Sequence, residues 1–305
     1  MPSSTRPARA RGIAAGLALV IALTGCAVSA PRRDATIIAC ASIDAWGSIL
    51  SELGGPRVRT SSIVHSPAVD PHDYEPTPSD AKLIAMSSVF VFNGAGYDGW
   101  AAQAVRADPE PGRQLVDVGR LTGTSLGDNP HRWYSPPDVT KVADAITAAF
   151  ITADPADADY FRQRNRQYLG TGLAEYHRLI AEIRSRYAGT PVGASESVFS
   201  PLADALGLRL ITPPDFLRAI SQGTDPSVAD KARIDAQIAG RQIAVYVLNS
   251  QNATPDVAEQ VRAARRAGIA VVDVTETPDP AGSGFADWQV RQLRELASAL
   301  AAAVR

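Results

Sequence analysis

Short β-branched runs alternate with longer amphipathic ones from Ala35 onward. Residues 36–41 (Thr-Ile-Ile-Ala-Cys-Ala) form a run with strand character, and 43–53 carries a helical pattern ended by Gly54-Gly55-Pro56. Strands are expected at 58–64, at 89–92 and, more weakly, at 115–118. Helices are expected at 79–87, where Pro78 and Asp80 form a start signal, and at 99–107. Strand–helix alternation of this kind builds a parallel sheet covered by helices.

The middle of the chain breaks the rhythm. Segments 137–153 and 155–187 are helical in pattern, with Tyr160, Phe161, Tyr168, Leu173, Tyr176, Leu179, Ile180 and Ile183 near helical spacing. Drawn as one continuous helix, the second segment spans roughly 45–50 Å at ~1.5 Å per residue. The alternation then resumes, with strands expected at 192–194, 208–212, 243–248 and 269–274 and helices at 199–206, 227–237, 255–267 and 285–304. The plan is α/β: two lobes with parallel sheets joined by one long helix. Ligands in such sheets sit at the carboxyl ends of strands, so the expected site is the cleft between the lobes.

Composition narrows the function. At 305 residues, with 45% hydrophobic and 20% charged residues, the chain is globular in character. Its formal net charge of -2 implies no broad basic surface, so no nucleic-acid partner is expected. Lys occurs only at Lys82, Lys141 and Lys231. With Cys26 and Cys40 as the only cysteines, a multi-cysteine metal cluster is excluded. Cys40, inside a strand run, reads as a small core residue.

The N-terminus reads as a targeting segment. Arg6, Arg9 and Arg11 precede an apolar run at 13–23 that is too short for an ordinary membrane span. The following Leu23-Thr24-Gly25-Cys26 resembles a bacterial lipobox. That resemblance implies a signal peptide over 1–25, lipidation of Cys26 and a tether over 26–34. The lobes are then expected at 35–136 and 189–305, with a helical linker at 137–188. Removing 1–25 takes away three arginines and no acid, leaving a more acidic remainder that suits a cationic ligand.

Chemistry concentrates at histidine. His177 lies on the long helical stretch and reads as a solvated position; His65 reads as a surface group. His72 lies in Asp70-Pro71-His72-Asp73-Tyr74-Glu75-Pro76-Thr77-Pro78-Ser79-Asp80, a loop stiffened by its prolines. His131 lies in Asn129-Pro130-His131-Arg132-Trp133, a second Pro-His loop ahead of a helix. A stiff loop fixes a metal ligand before the metal arrives. Asp70, Asp73, Tyr74 and Glu75 are candidate outer partners of His72, because a metal-bound imidazole usually donates its other N–H to an oxygen. Asn249-Ser250-Gln251-Asn252 follows a strand and reads equally as a turn or a cleft-facing group.

These segments resemble the zinc- and manganese-binding solute-binding proteins of ABC transporters (cluster A-I, periplasmic solute-binding protein family 9). Residues 71–80 are similar to that family's first-ligand motif, Asn129-Pro130-His131 with Trp133 to its second, and Asn93-Gly94-Ala95-Gly96-Tyr97-Asp98-Gly99-Trp100 to its glycine turn. The resemblance covers nearly the whole chain after the targeting segment, and implies two α/β lobes bridged by a long rigid helix. It implies a third ligand at Glu196, in Gly193-Ala194-Ser195-Glu196-Ser197. The fourth is usually Asp in the family; by register it falls on Glu276, with Asp273 as the rival. The implied metal ligands are therefore His72, His131, Glu196 and Glu276.

The implied function is capture of Zn²⁺ or Mn²⁺, as transported ligand rather than catalytic cofactor, and delivery to an ABC transporter permease. The protein would be a monomer, lipid-anchored on the outer face of the cytoplasmic membrane, and not an enzyme. An oxygen-rich shell with some imidazole suits Mn²⁺ or Fe²⁺ by hardness, yet Zn²⁺ would still bind well, so ligand identity does not settle the metal. The His-rich acidic loop of many zinc members is missing between Gly99 and His131. Two alternatives stand beside this reading: a secreted metal-dependent hydrolase, for which HExxH and Gly-x-Ser-x-Gly motifs are lacking, and a surface adhesin.

Overall fold

The computed structural model describes residues 1–4, 37–66, 68–69 and 74–303, and two four-stranded parallel sheets organise it. Residues 5–25 of the expected signal peptide, Cys26 and the tether lie outside the described residues, as does His72. The first sheet is built from β1 (Ile37–Ile43), β2 (Val58–Val64), β3 (Val89–Phe92) and β4 (Gln114–Asp117) in the order β2-β1-β3-β4. The second is built from β5 (Pro191–Ala194), β6 (Arg209–Leu210), β7 (Val245–Asn249) and β8 (Ala270–Val274) in the order β6-β5-β7-β8. The two orders are the same, shifted by four strands. Each sheet therefore has one point where the winding reverses, between β1 and β3 and between β5 and β7, and crevices open at such points.

The inner strands are apolar throughout because both their faces are covered. All of β3 (Val-Phe-Val-Phe) is buried, as are Ala39, Cys40 and Ala41 of β1, whereas Arg59 on the edge strand β2 is exposed. Cys40 is a core residue, and burial pushes its thiol up to about 11. In the first lobe α1 (Asp44–Gly54), α2 (Pro78–Met86) and α3 (Gly99–Ala107) connect the strands, and α4 (Val118–Thr122) follows the last of them. Helix α2 starts where its sequence signal placed it: Thr77 and Asp80 form a reciprocal capping box with Pro78 in the first turn.

Helix α5 (Pro136–Ala153) leads to the element joining the lobes. This long rod is not one uninterrupted α-helix. It comprises α6 (Ala158–Gln167), a π turn at Tyr168–Gly172 and α7 (Ala174–Tyr187). Leu173 N–H donates to the Tyr168 carbonyl at 2.8 Å, five residues back. Gly170 and Gly172 explain the interruption, since glycine is a poor helix former and a π turn needs local slack.

The second lobe adds α8 (Ser200–Leu206), α9 (Pro214–Ser221), α10 (Val228–Ala239), α11 (Pro255–Arg266) and α12 (Phe285–Ala303). The last returns to the rod, with the rings of Tyr176 and Phe285 6.0 Å apart and Arg294 paired with Glu175 at 3.0 Å. One continuous core runs from the first sheet through the rod to the second, and a smaller one lies among α9, α10 and α11. Among the described residues no helix is long and apolar enough to cross a membrane.

Candidate metal centre

The centre lies where the carboxyl ends of the two sheets face each other. On the first-lobe side, the chain leaves β3 through Asn93, Gly94, Ala95 and Gly96. Gly94, Ala95 and Gly96 all have positive φ. At Gly94 (φ +68) a Cβ would fall 2.4 Å from Asp117 Oδ1, so glycine is required there. The buried Asp98 carboxylate holds the turn by accepting from the N–H groups of Asn93 and Gly94, both at 2.7 Å. Burial pushes this carboxyl up, and those N–H groups oppose the shift. The turn delivers Tyr97 to the lobe junction.

Asn93, fully buried, fixes the histidine loop. Its Oδ1 accepts from Trp46 Nε1 at 3.0 Å and its Nδ2 donates to the Pro130 carbonyl at 3.0 Å. His131 is also fully buried, with the rings of Trp133 and Tyr97 edge-on at 5.3 and 5.8 Å. Asn129 sets its tautomer. Asn129 Nδ2 donates across the junction to the Ser197 carbonyl at 2.7 Å, so Oδ1 is the atom 2.9 Å from His131 Nδ1. A carbonyl oxygen only accepts, so Nδ1 carries a proton and Nε2 is the ring atom left to face a metal. That is the tautomer a metal needs.

Glu196 follows β5 and Glu276 follows β8, and both are buried (0% and 1% exposed). One ligand atom each from His131, Glu196 and Glu276 lie within 4.8 Å of one another, and His131 Nε2 is 3.4 Å from Glu276 Oε2. Tyr97 donates to Glu276 Oε2 at 2.6 Å. Asn249 Nδ2 donates to Glu196 Oε1 at 3.0 Å and Glu276 Oε1 at 2.7 Å, and Asn252 Nδ2 to Glu196 Oε2 at 3.1 Å. Gln251 Oε1 holds the backbone beside the fourth position, accepting from the N–H groups of Glu276 (2.6 Å) and Thr277 (2.9 Å). Two buried carboxylates this close repel each other and are costly to desolvate, and a bound divalent cation relieves both penalties. The nearby Tyr134 hydroxyl is pushed up strongly, by burial first and then by the charges of Glu276 and Glu196.

Of the residues expected from sequence, the structure brings together His131, Glu196 and Glu276. Asp273 is exposed on β8, so Glu276 is the residue of that segment that meets His131. Asp70 and Asp73 fall outside the described residues with His72. Of the other two candidates around His72, Tyr74 donates to Asp80 at 2.7 Å, supporting the start of α2, and Glu75 is exposed. His65 and His177 are exposed. Sequence reading missed the roles of Tyr97 and Asn129, and left Asn249 open between a turn and a cleft-facing group. The only signal was that each stands in a loop at a strand end or beside a candidate ligand.

A cleft of about 600 Å³ opens between the lobes next to the cluster. Tyr97, Asn129, Ser197 and Asn252 line it, and each touches one of the three buried groups; Ser197 Oγ lies 3.5 Å from His131 Nδ1.

A two-lobe parallel α/β fold with imidazole and carboxylates converging at the lobe junction defines a metal-binding solute-binding protein, a class that binds rather than transforms its ligand. The chain belongs to the family described as zinc-uptake complex component A, periplasmic, whose sequence profile matches residues 40–299. The high-affinity zinc uptake system protein ZnuA of Bacillus subtilis is 20% identical over 254 residues, 76% of this chain and 78% of the relative. The manganese-binding lipoprotein MntA of the same organism is 27% identical over 169 residues, 51% of this chain and 54% of the relative. The iron-binding protein YfeA of Yersinia pestis is 25% identical over 173 residues, 53% and 54% of the two chains. The match to these last two thus spans about half their length. Among solved structures, the periplasmic zinc binding protein TroA from Treponema pallidum superposes with a TM-score of 0.72 at 16% identity, covering 88% of this chain and 99% of that one. The solute-binding protein FpvC from Pseudomonas aeruginosa, in complex with Mn²⁺, gives 0.70 at 18% identity, with 87% and 99% covered.

Proposed function

We propose that this protein captures one divalent transition-metal ion, Zn²⁺ or Mn²⁺, between its lobes and delivers it to an ABC-type permease. The observation that carries this reading is the buried meeting of His131 from one lobe with Glu196 and Glu276 from the other. We take His72, on the proline-stiffened loop before α2, as the fourth ligand. The division into lobes at 35–136 and 189–305, with the linker at 137–188, belongs to the same proposal, as does a monomeric state. So does anchoring: removal of residues 1–25, lipidation of Cys26 and a tether over 26–34 would hold the protein on the outer face of the cytoplasmic membrane. The lipoprotein names of manganese-binding relatives support that location.

Delivery requires release, and the site suits it. No lobe supplies the whole ligand set, so parting the lobes removes ligands without unfolding either sheet.

Titration calorimetry with Zn²⁺ and with Mn²⁺ tests the proposal. Wild-type protein binds one ion, and His72→Ala and His131→Ala each lower the affinity by orders of magnitude. Unchanged binding of both metals in both variants would sink the assignment.

A further inference from the structure

The Asn249 side chain donates to both buried carboxylates. Its place follows from sheet order: β7 lies between β5, which leads to Glu196, and β8, which leads to Glu276. The last residue of the middle strand therefore stands between the two acids. Asn249 is fully buried, its backbone N–H donates to Ser195 Oγ at 2.9 Å, and its Oδ1 accepts from the Gln251 N–H at 3.1 Å. That last bond fixes the amide orientation, since the reverse would turn a carbonyl oxygen on two carboxylates. Asn93 holds the corresponding position after β3 of the first sheet and fixes the His131 loop.

We propose that Asn249 is a specificity-determining positioning residue: it ties the two carboxylates to one amide, sets the spacing between them, and tunes the site for a small four-coordinate ion such as Zn²⁺ over a larger six-coordinate one such as Mn²⁺. This rests on the metal-capture reading above. Because the amide is neutral, it orders the acids without competing with the cation, as a lysine or arginine there would. The other carboxylate oxygens are also held, Glu196 Oε2 by Asn252 and Glu276 Oε2 by Tyr97. A six-coordinate ion needs more donors, which a carboxylate supplies by turning to present both oxygens; here turning breaks those bonds. The 3.4 Å from His131 Nε2 to Glu276 Oε2 is close enough for one small ion to bridge the two atoms. A tetrahedral ion with zinc's bond lengths separates its ligand atoms by about 3.3–3.5 Å.

The test uses the full chain, wild type and Asn249→Ala, with Zn²⁺, Mn²⁺ and Co²⁺ as probes. Asn249→Ala is expected to lower Zn²⁺ affinity by about 10–100-fold and Mn²⁺ affinity by no more than about threefold, which narrows the Zn:Mn ratio. The visible absorption of bound Co²⁺, intense when four-coordinate, should weaken in the variant. Asn249→Asp keeps the shape and the acceptor for Gln251 but replaces the donor with a third carboxylate; the same narrowing is expected, and it decides the matter if the alanine variant does not fold. A folded variant with an unchanged ratio and spectrum overturns the proposal, as does a six-coordinate Co²⁺ spectrum in wild type. Loss of fold in both variants assigns Asn249 a structural role and also overturns it. A wild-type protein that binds neither Zn²⁺ nor Mn²⁺ overturns the capture reading instead.

Discussion

Glu276 Oε2 lies 2.6 Å from the Tyr97 hydroxyl and 3.4 Å from His131 Nε2, so this one oxygen of the second lobe touches two residues of the first. Aspartate, the usual family residue here, would withdraw the carboxylate by about one C–C bond, ~1.5 Å. Glu276→Asp is expected to lower metal affinity at least tenfold, on the scale of losing a ligand's supporting bonds. Competition with a chelating dye measures this, and equal affinity in the variant would show that the backbone adapts to either length.

Asn129 holds the His131 tautomer and also bonds to Ser197 across the junction. Removing the acceptor in Asn129→Ala leaves Nδ1 free to lose its proton in favour of Nε2. The expected result is a fall of about 10–100-fold in metal affinity with the apo-protein still folded. Calorimetry beside circular dichroism checks both halves of that statement.

Asp98 accepts two backbone N–H bonds inside the Asn93–Tyr97 turn. Asp98→Asn keeps the shape but can accept only one of them, leaving a buried donor unpaired. Urea unfolding should show a loss of about 1–3 kcal/mol. The pH dependence has a defined sign. Burial raises the folded carboxyl above its ordinary 3.8. That contribution favours folding below the unfolded value and is lost as pH rises through the folded one. The wild-type advantage over Asp98→Asn should therefore shrink as pH rises from 4 toward neutrality.

Cys40 is fully buried with its thiol raised to about 11. At pH 8 the native protein should leave this thiol unmodified by a disulfide reagent, and denaturant should release it. Rapid labelling of Cys40 in the folded protein would mean that β1 opens locally.

Metal should stabilise the fold by mass action. At a thousandfold excess over Kd the gain is about 4 kcal/mol, read as a rise in Tm that a chelator reverses. Glu196→Gln should reduce that rise and change the apo Tm little, because it removes one of two mutually repelling buried charges but leaves one of the amide donors of Asn249 and Asn252 without its acceptor.

Much of the fold was legible because parallel strands buried on both faces write continuous apolar runs. The runs at β2, β3 and α3 matched their observed bounds. Strand β6 shrank to Arg209–Leu210 because it lies at a sheet edge, where pattern is weak. Helix α9 went unseen because Pro213-Pro214 reads as a loop, although proline at a helix start is tolerated. In the site, histidine and acids at strand ends could be picked out by chemistry and resemblance. Tyr97 and Asn129 could not, and Asn249 stayed undecided between turn and cleft, because an amide or phenol at a strand end has no pattern of its own until the fold shows which carboxylate or imidazole it faces.

The identical strand order of the two sheets has a further consequence. Each half brings its own crevice and its own buried asparagine, Asn93 or Asn249, at the end of the corresponding strand. The chain thus works as a logical conjunction: retention demands both halves at once, and cancelling either one empties the site. On the proposed function, a permease would have no need to outbid the site for its ion; parting the halves would erase the condition that kept it.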